Sequence, residues 1–304
     1  MKWKGVMPAM TTPFTEGLEI DWAFAARHAR WMQANGCTGI VCLGSLGEAA
    51  TLTFEEKLKI VRGAVAAVAP STPVVGAISA LSTSEAVHLA KALTDAGAQG
   101  LMILPPYVYK GDWRETKAYI AAILQATPLP AMLYNNPVAY GTDFVPAQIK
   151  ELAEEFENLA AVKESSTDVR RVTAIRALTG DRLAIFVGVD DAIVEGIEAG
   201  AVGWIAGLVN AFPRESVALF DFAIAGNKEA AFNIYRWFLP LLRMDTVPKF
   251  VQLIKLVQEE LGVATARVRP PRLQIEAAEL NEAKALIADA LQHRPDGIVS
   301  SPLL

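Results

Sequence analysis

The sequence predicts an α/β fold, a (β/α)8 TIM barrel with a C-terminal helical extension, and three observations predict it. Eight short apolar runs, at 5–11, 39–44, 74–79, 100–104, 131–135, 160–164, 183–188 and 203–207, alternate with amphipathic stretches. The runs lack polar alternation, as strands of a parallel sheet buried on both faces do. One αβ junction recurs three times, as Asn35-Gly36-Cys37-Thr38-Gly39, Ala96-Gly97-Ala98-Gln99-Gly100 and Ala199-Gly200-Ala201-Val202-Gly203. Its first glycine suits a helix C-cap with positive φ, and its second lets the next strand pack closely. An open doubly wound sheet is the alternative architecture.

Taken in order, the segments 21–34 and 84–96 carry apolar residues at helical spacing between strand runs. Beyond Gly207 the pattern becomes helical throughout. A helix at 213–225 closes a barrel domain of residues 1–225. Helices at 227–243, 247–261 and 275–292 form an extension over 226–292, and 293–304 reads as a frayed tail. A chain of 304 residues, 52% hydrophobic and 20% charged, is long enough for one large barrel plus such an extension.

Composition excludes several classes of function. The net charge of -5 and pI near 5.4 argue against nucleic acid, whose phosphates need clustered Lys and Arg. Cys37 and Cys42 are too few for a disulfide framework and read as small core residues. His28, His88 and His293 are scattered, so no metal site is expected. No apolar stretch suits a membrane span or a secretory leader, and a cytoplasmic protein is expected. Dinucleotide, P-loop and hydrolase-elbow motifs are absent, which leaves an NAD-dependent oxidoreductase without a fingerprint.

Active sites of such barrels form at the C-terminal ends of the strands. Those ends read Gly44-Ser45-Leu46-Gly47-Glu48, Pro105-Pro106-Tyr107-Val108-Tyr109, Tyr134-Asn135-Asn136-Pro137 and Lys163-Glu164-Ser165-Ser166. Lys163 emerges from the apolar run Leu159-Ala160-Ala161-Val162. Burial lowers a lysine pKa and frees the amine as a nucleophile. Its alternatives are a lysine that reaches out of the barrel mouth, or one paired with Glu48 or Glu164. The Gly44–Glu48 turn is rich in main-chain N–H groups that suit a carboxylate, and it reads equally as an ordinary βα turn. Tyr134 suits proton transfer to a hydroxyl such as Ser45, or a wedge role with its OH capping the backbone.

In this order, and together with Thr11-Thr12-Pro13-Phe14, these motifs resemble the dihydrodipicolinate synthase and N-acetylneuraminate lyase superfamily over nearly the whole chain. The resemblance implies a Schiff base at Lys163, a proton relay through Tyr134 and Ser45, and substrate contacts at Gly44, Leu46, Gly47 and Ile205. It implies no cofactor, and it implies a homo-oligomer, a tetramer or dimer. Three departures weaken the synthase reading. Ala139 stands where the synthases carry an arginine for the second substrate's carboxylate, Leu46 replaces a hydroxyl, and Val108 replaces a tyrosine lent across a dimer interface.

The runs Gly188-Val189-Asp190-Asp191, Gly203 to Pro213, Tyr235-Arg236-Trp237-Phe238 and Arg269-Pro270-Pro271-Arg272-Leu273 are similar to 1-pyrroline-4-hydroxy-2-carboxylate deaminases of hydroxyproline breakdown. That likeness implies release of ammonia and 2-oxoglutarate semialdehyde from a cyclic imino acid. The alternatives are a 2-keto-3-deoxy sugar acid dehydratase or aldolase, a hydratase-aldolase, and the synthase itself. A binding protein on the same barrel is the non-enzymatic alternative, and it has no use for an amine at the end of an apolar strand.

Overall fold

The computed structural model describes residues 1–295 and 297–303. Eight strands form one parallel sheet: β1 Gly5–Pro8, β2 Ile40–Cys42, β3 Val74–Ile78, β4 Gly100–Ile103, β5 Ala131–Asn135, β6 Leu159–Glu164, β7 Ala184–Val187 and β8 Gly203–Ala206. Each pairs with its sequence neighbour in the order β1-β8-β7-β6-β5-β4-β3-β2. The ring closes between β1 and β2, where Thr38 donates to the Val6 carbonyl at 2.9 Å and Met10 to that of Val41 at 2.9 Å. The (β/α)8 barrel is therefore present, and the doubly wound alternative is excluded. All eight predicted runs contain a strand, because each run is apolar on both sides of the sheet.

The repeated junction behaves as its sequence predicts. Gly36, Gly97 and Gly200 adopt φ of +99°, +91° and +108° at helix ends. A Cβ on Gly203 would strike the Phe186 ring, so the bare glycine lets β8 close on β7. Helix starts follow their capping residues. Thr53 and Glu56 form a capping box before Phe54–Val68, and Ser82 caps Thr83–Asp95.

One irregularity positions the site. Ala131 pairs with Leu159, but Met132 pairs with Ala161, so Ala160 is an extra residue in β6. Counted from the Ala131–Leu159 pair, an unbroken ladder would set Val162 opposite Tyr134. The bulge sets Lys163 there instead. Tyr134 and Lys163 then share the inner face, and Asn135 and Glu164 share the outer one.

The C-terminal helices pack on the barrel rather than apart from it. Helix Phe250–Glu260 lies at the strand ends, and residues 251–258 are all buried. Its Gln258 accepts from Thr11 at 3.1 Å and donates to the Asn210 carbonyl at 3.2 Å. Residues 293–304, expected to fray, dock instead, with Asp296 and Leu304 outside the described residues. Arg294 and Ser300 satisfy the buried Glu215 carboxylate at 2.8 and 2.6 Å, and Ser301 bonds Asn35 at 3.1 Å. A buried carboxylate needs such partners, and the tail supplies them. Cys37 and Cys42 are free and buried. Among the described residues, no helix is long and apolar enough to cross a membrane.

Candidate active site

The inner face of β5 and β6 brings Tyr134 and Lys163 together. The Lys163 Nζ stands 4.1 Å from the centre of the Tyr134 ring. Lys163 is only 7% exposed, and among the described residues its amine has no hydrogen-bond or ion-pair partner. Burial holds its pKa below the ordinary lysine value, against the pull of Asp245, Tyr140 and Asp190. A Cβ on Gly188 would stand 2.5 Å from Lys163 Cε and would also strike the Ser165 hydroxyl. Gly188 thus makes room for the lysine.

Neither carboxylate weighed as a partner reaches Lys163. Glu48 is fully buried and bonds Lys255 Nζ at 2.5 Å and the Arg269 N–H at 3.1 Å, with Arg272 3.9 Å away. Glu164 accepts from Asn135 at 3.0 Å and from the Ser166 N–H at 2.7 Å on the outer face. Burial lowers the Lys255 pKa to about 8, which leaves it cationic at neutral pH. Glu48 itself sits at φ +55°. The Lys255 bond therefore ties the turn after β2 to the C-terminal helix.

That turn carries four of the residues singled out above. Leu46 is buried, and the Gly47 carbonyl accepts from Thr12 at 2.7 Å. Glu48 N–H bonds the Ser45 carbonyl at 3.1 Å, and Ala49 N–H the Gly44 carbonyl at 3.5 Å. The N–H groups of Ser45 and Leu46 have no acceptor among the described residues, so a bound carboxylate could take them. Ile205 lies buried on β8 opposite Met7.

The expected Ser45–Tyr134 contact takes a different form. The Ser45 hydroxyl bonds the Tyr140 hydroxyl. The Tyr134 hydroxyl accepts from Asn136 at 3.0 Å. Tyr140 stands edge-on to Tyr134, with ring centres 5.7 Å apart. Burial pushes the Tyr134 pKa up to about 12, so its hydroxyl is protonated at neutral pH.

Two carboxylates complete the site. Asp190 is buried and accepts from Trp204 Nε1 at 3.0 Å and from the N–H groups of Gly207 and Leu208, each at 3.0 Å. Burial lifts its pKa to about 6 against these donors. The Tyr235 hydroxyl bonds the Asp191 carbonyl and fixes the turn that carries Asp190. Asp245, in the short turn Arg243–Thr246, lies against Gly207, where a Cβ would strike its Oδ1. Among the described residues Asp245 makes no hydrogen bond, and burial, with Asp190 nearby, raises its pKa above the ordinary aspartate value. Sequence reading passed over Tyr140, Asp245 and Lys255. Asp190 was seen only as part of a motif.

A lysine amine held unpaired in a barrel mouth, beside a tyrosine and a turn with free main-chain N–H groups, defines the class of lyases that work through a lysine Schiff base. The chain belongs to the dihydrodipicolinate synthetase family, whose model matches residues 2–290. It is 31% identical to the 4-hydroxy-tetrahydrodipicolinate synthase of Halorhodospira halophila over 293 residues, covering 95% of this chain and 97% of that one. The solved synthase of Methylacidiphilum fumariolicum SolV superposes with a TM-score of 0.92 at 27% identity, covering 96% and 97% of the two chains. A prophage protein of E. coli K12 from the same family, solved with pyruvate, gives 0.89 at 26% identity over 96% and 99%.

Proposed function

We propose that Lys163 is the Schiff-base nucleophile for a small 2-oxo or cyclic 2-imino acid, and that the reaction is the deamination of 1-pyrroline-4-hydroxy-2-carboxylate. One observation carries the reading. The unpaired Lys163 amine shares the mouth with an unpartnered acid, Asp245, and Ala139 offers no guanidinium for a second carboxylate.

The free-base Lys163 adds to C2 of the cyclic imine. The C2–N1 bond then breaks, which leaves a lysine iminium at C2 and a primary amine on C5. The Ser45 and Leu46 N–H groups hold the substrate carboxylate. The iminium draws electrons, so C3 gives up a proton to the tyrosine–serine hydroxyls. The enamine expels the 4-hydroxyl, which takes a proton from Asp245 and leaves as water. Proton transfer from C5 to C3 gives an enamine across C4 and C5, and C4 then takes up a proton as the C5 nitrogen loses one, which leaves a C5 imine. One water hydrolyses that imine to ammonia and the aldehyde, and a second releases the 2-oxo acid from Lys163. The sum is substrate plus one water giving 2-oxoglutarate semialdehyde and ammonia.

The synthase remains the second reading, because the relatives carry that name and the Lys110 ammonium lies over Gly141, where it could meet a second carboxylate. Two assays decide. Borohydride with pyruvate or substrate should add mass at Lys163 alone, and full activity in Lys163→Ala would sink the nucleophile. Ammonia release from the hydroxypyrroline carboxylate is then set beside condensation of pyruvate with aspartate semialdehyde. Loss of an Arg–carboxylate contact, worth roughly 1.5–3 kcal/mol, should slow the condensation by about ten- to a hundredfold. Equal turnover in the two assays would restore the synthase.

A further inference from the structure

We propose that Tyr140 links Ser45 to Tyr134, so that the hydroxyl relay serving Lys163 is complete within one chain. The inference rests on Lys163 being the nucleophile. Ser45 and Tyr140 bond directly, although 95 residues separate them. Among the described residues no hydrogen bond joins Ser45 to Tyr134 itself. The Asn136 amide donates to Tyr134 Oη, so the Tyr134 proton is free to move toward the lumen. Tyr140 packs edge-on against Tyr134, with the rings at 80° and their centres 5.7 Å apart, which makes it the tyrosine that touches both Tyr134 and Ser45.

The local chain explains how Tyr140 arrives there. Asn136 caps the turn Pro137–Tyr140 by accepting from the Ala139 N–H at 3.0 Å. The Tyr140 N–H bonds the Asn136 carbonyl at 3.0 Å, and Gly141 ends the turn at φ +70° with its N–H on the Pro137 carbonyl at 2.9 Å. This one-turn helix carries Tyr140 back over β5. Asn136 therefore has two roles, since its carbonyl oxygen shapes the turn and its amide orients Tyr134. Burial raises the Tyr140 pKa, so its hydroxyl keeps its proton and can both donate and accept.

The chemistry is one balanced transfer. As the C3–H bond breaks, its electron pair enters the enamine, and the proton is received by a relay oxygen. That oxygen passes its own proton to the next, the half-buried Ser45 hydroxyl at the end of the relay gives its proton to solvent water, and the order reverses when C3 is reprotonated. No oxidant is needed, and solvent water is the only further participant. Val108, at the end of β4, is 73% exposed and brings no hydroxyl to the site. Tyr140 reaches Ser45 from its own chain instead.

The test uses the full-length protein with pyruvate, whose methyl protons exchange with D2O only through the Schiff base and enamine. Tyr140→Phe keeps the ring and removes the hydroxyl. The exchange rate at saturating pyruvate should fall about 10²- to 10⁴-fold. The pyruvate concentration for half-maximal exchange and the borohydride adduct at Lys163 should stay within about threefold of the parent, since neither needs the relay. Ser45→Ala should fall as far, and the double variant no further than the worse single. Co-assembling Tyr140→Phe with Lys163→Ala chains should restore nothing, because a relay within one chain cannot be completed by a neighbour. Exchange at the parent rate in Tyr140→Phe, multiplicative losses, or rescue in the mixture would overturn the inference and leave the nucleophile standing. Absence of any adduct at Lys163 in the parent would remove both.

Discussion

Replacing Lys255 with methionine tests what holds the turn after β2 in place. In the parent, the Glu48 carboxylate is fully buried, and among the described residues Lys255 is the one side-chain cation hydrogen-bonded to it, at 2.5 Å. Methionine keeps most of the volume of the lysine stem and removes the charge. Glu48 would then keep the Arg269 N–H at 3.1 Å and the distant Arg272 at 3.9 Å. Stranding a buried charge costs about 3–5 kcal/mol, and the two remaining contacts place this case near 3. For a domain of this size that is a fall in Tm of roughly 6–12 °C. Glu48 at φ +55° also loses its anchor three residues after Ser45, so the turn loosens. KM for the 2-oxo acid should rise more than kcat falls, because in the proposed mechanism the turn binds and Lys163 reacts. Adding Glu48→Gln should recover at least half of the stability, since it removes the stranded charge. Thermal unfolding and steady-state kinetics read both effects. A Tm within about 2 °C of the parent, or no recovery in the double variant, would refute the clamp.

Other outcomes follow from the same geometry. Asp245→Asn should leave pyruvate proton exchange and the Lys163 adduct intact while slowing ammonia release about 10²- to 10⁴-fold, and a parallel loss in both assays would show that Asp245 merely supports Lys163. Gly188→Ala should drive a Cβ into Lys163 and Ser165, costing about 1–3 kcal/mol of stability together with Schiff-base formation; wild-type trapping kinetics would contradict it. Burial lowers the His28 pKa to about 4 from 6.5, with its Nε2 bonded to the Asn210 carbonyl at 2.9 Å. Between pH 6.5 and 4 the unfolded chain binds the extra proton, so stability falls as pH drops through that window, by about 3 kcal/mol in all. His28→Gln should flatten that part of a stability–pH curve, and an unchanged slope would place the acid sensitivity elsewhere.

How much of this could be read in advance depends on the range of the interaction. The strands were legible because a run buried on both faces has to be apolar, and the repeated glycines marked helix ends that need positive φ. Lys163 was legible because a charge after Leu159-Ala160-Ala161-Val162 breaks that rule. Its freedom from Glu48 was not, because the competing cation, Lys255, lies 207 residues further on. Tyr140 escaped notice because a hydroxyl near a strand end has no signature until its turn is seen to bring it over β5. Asp245 was hidden in a segment whose periodicity reads as helix and whose carboxylate gains meaning only from the barrel mouth below it. The tail misled for the opposite reason. Its composition looks loose, yet the buried Glu215 needs the partners that the tail brings.

The extra residue in β6 makes the identity of the active-site side chain a matter of counting. Ala160 contributes almost nothing chemically, and substitutions that keep the chain length should be absorbed there. Removing it is another matter. With the ladder anchored at Ala131–Leu159, a chain shorter by that one residue would still meet Tyr134 with the residue three places after Leu159, and that residue would now be Lys163. Anchored instead at Asn135–Glu164, the same deletion would leave the upper strand in place and pull Leu159 into the gap. Either way the amine keeps its seat, and any strain falls at the lower end of the barrel only under the second anchoring, where Leu159 and Arg182 seal the floor through a 2.7 Å bond. An insertion has no such escape from the lower anchor, since it would bring valine to the lumen. The catalytic end of this strand is thus buffered against losing a residue and exposed to gaining one, an asymmetry in its tolerance of length changes that side-chain chemistry alone would not reveal.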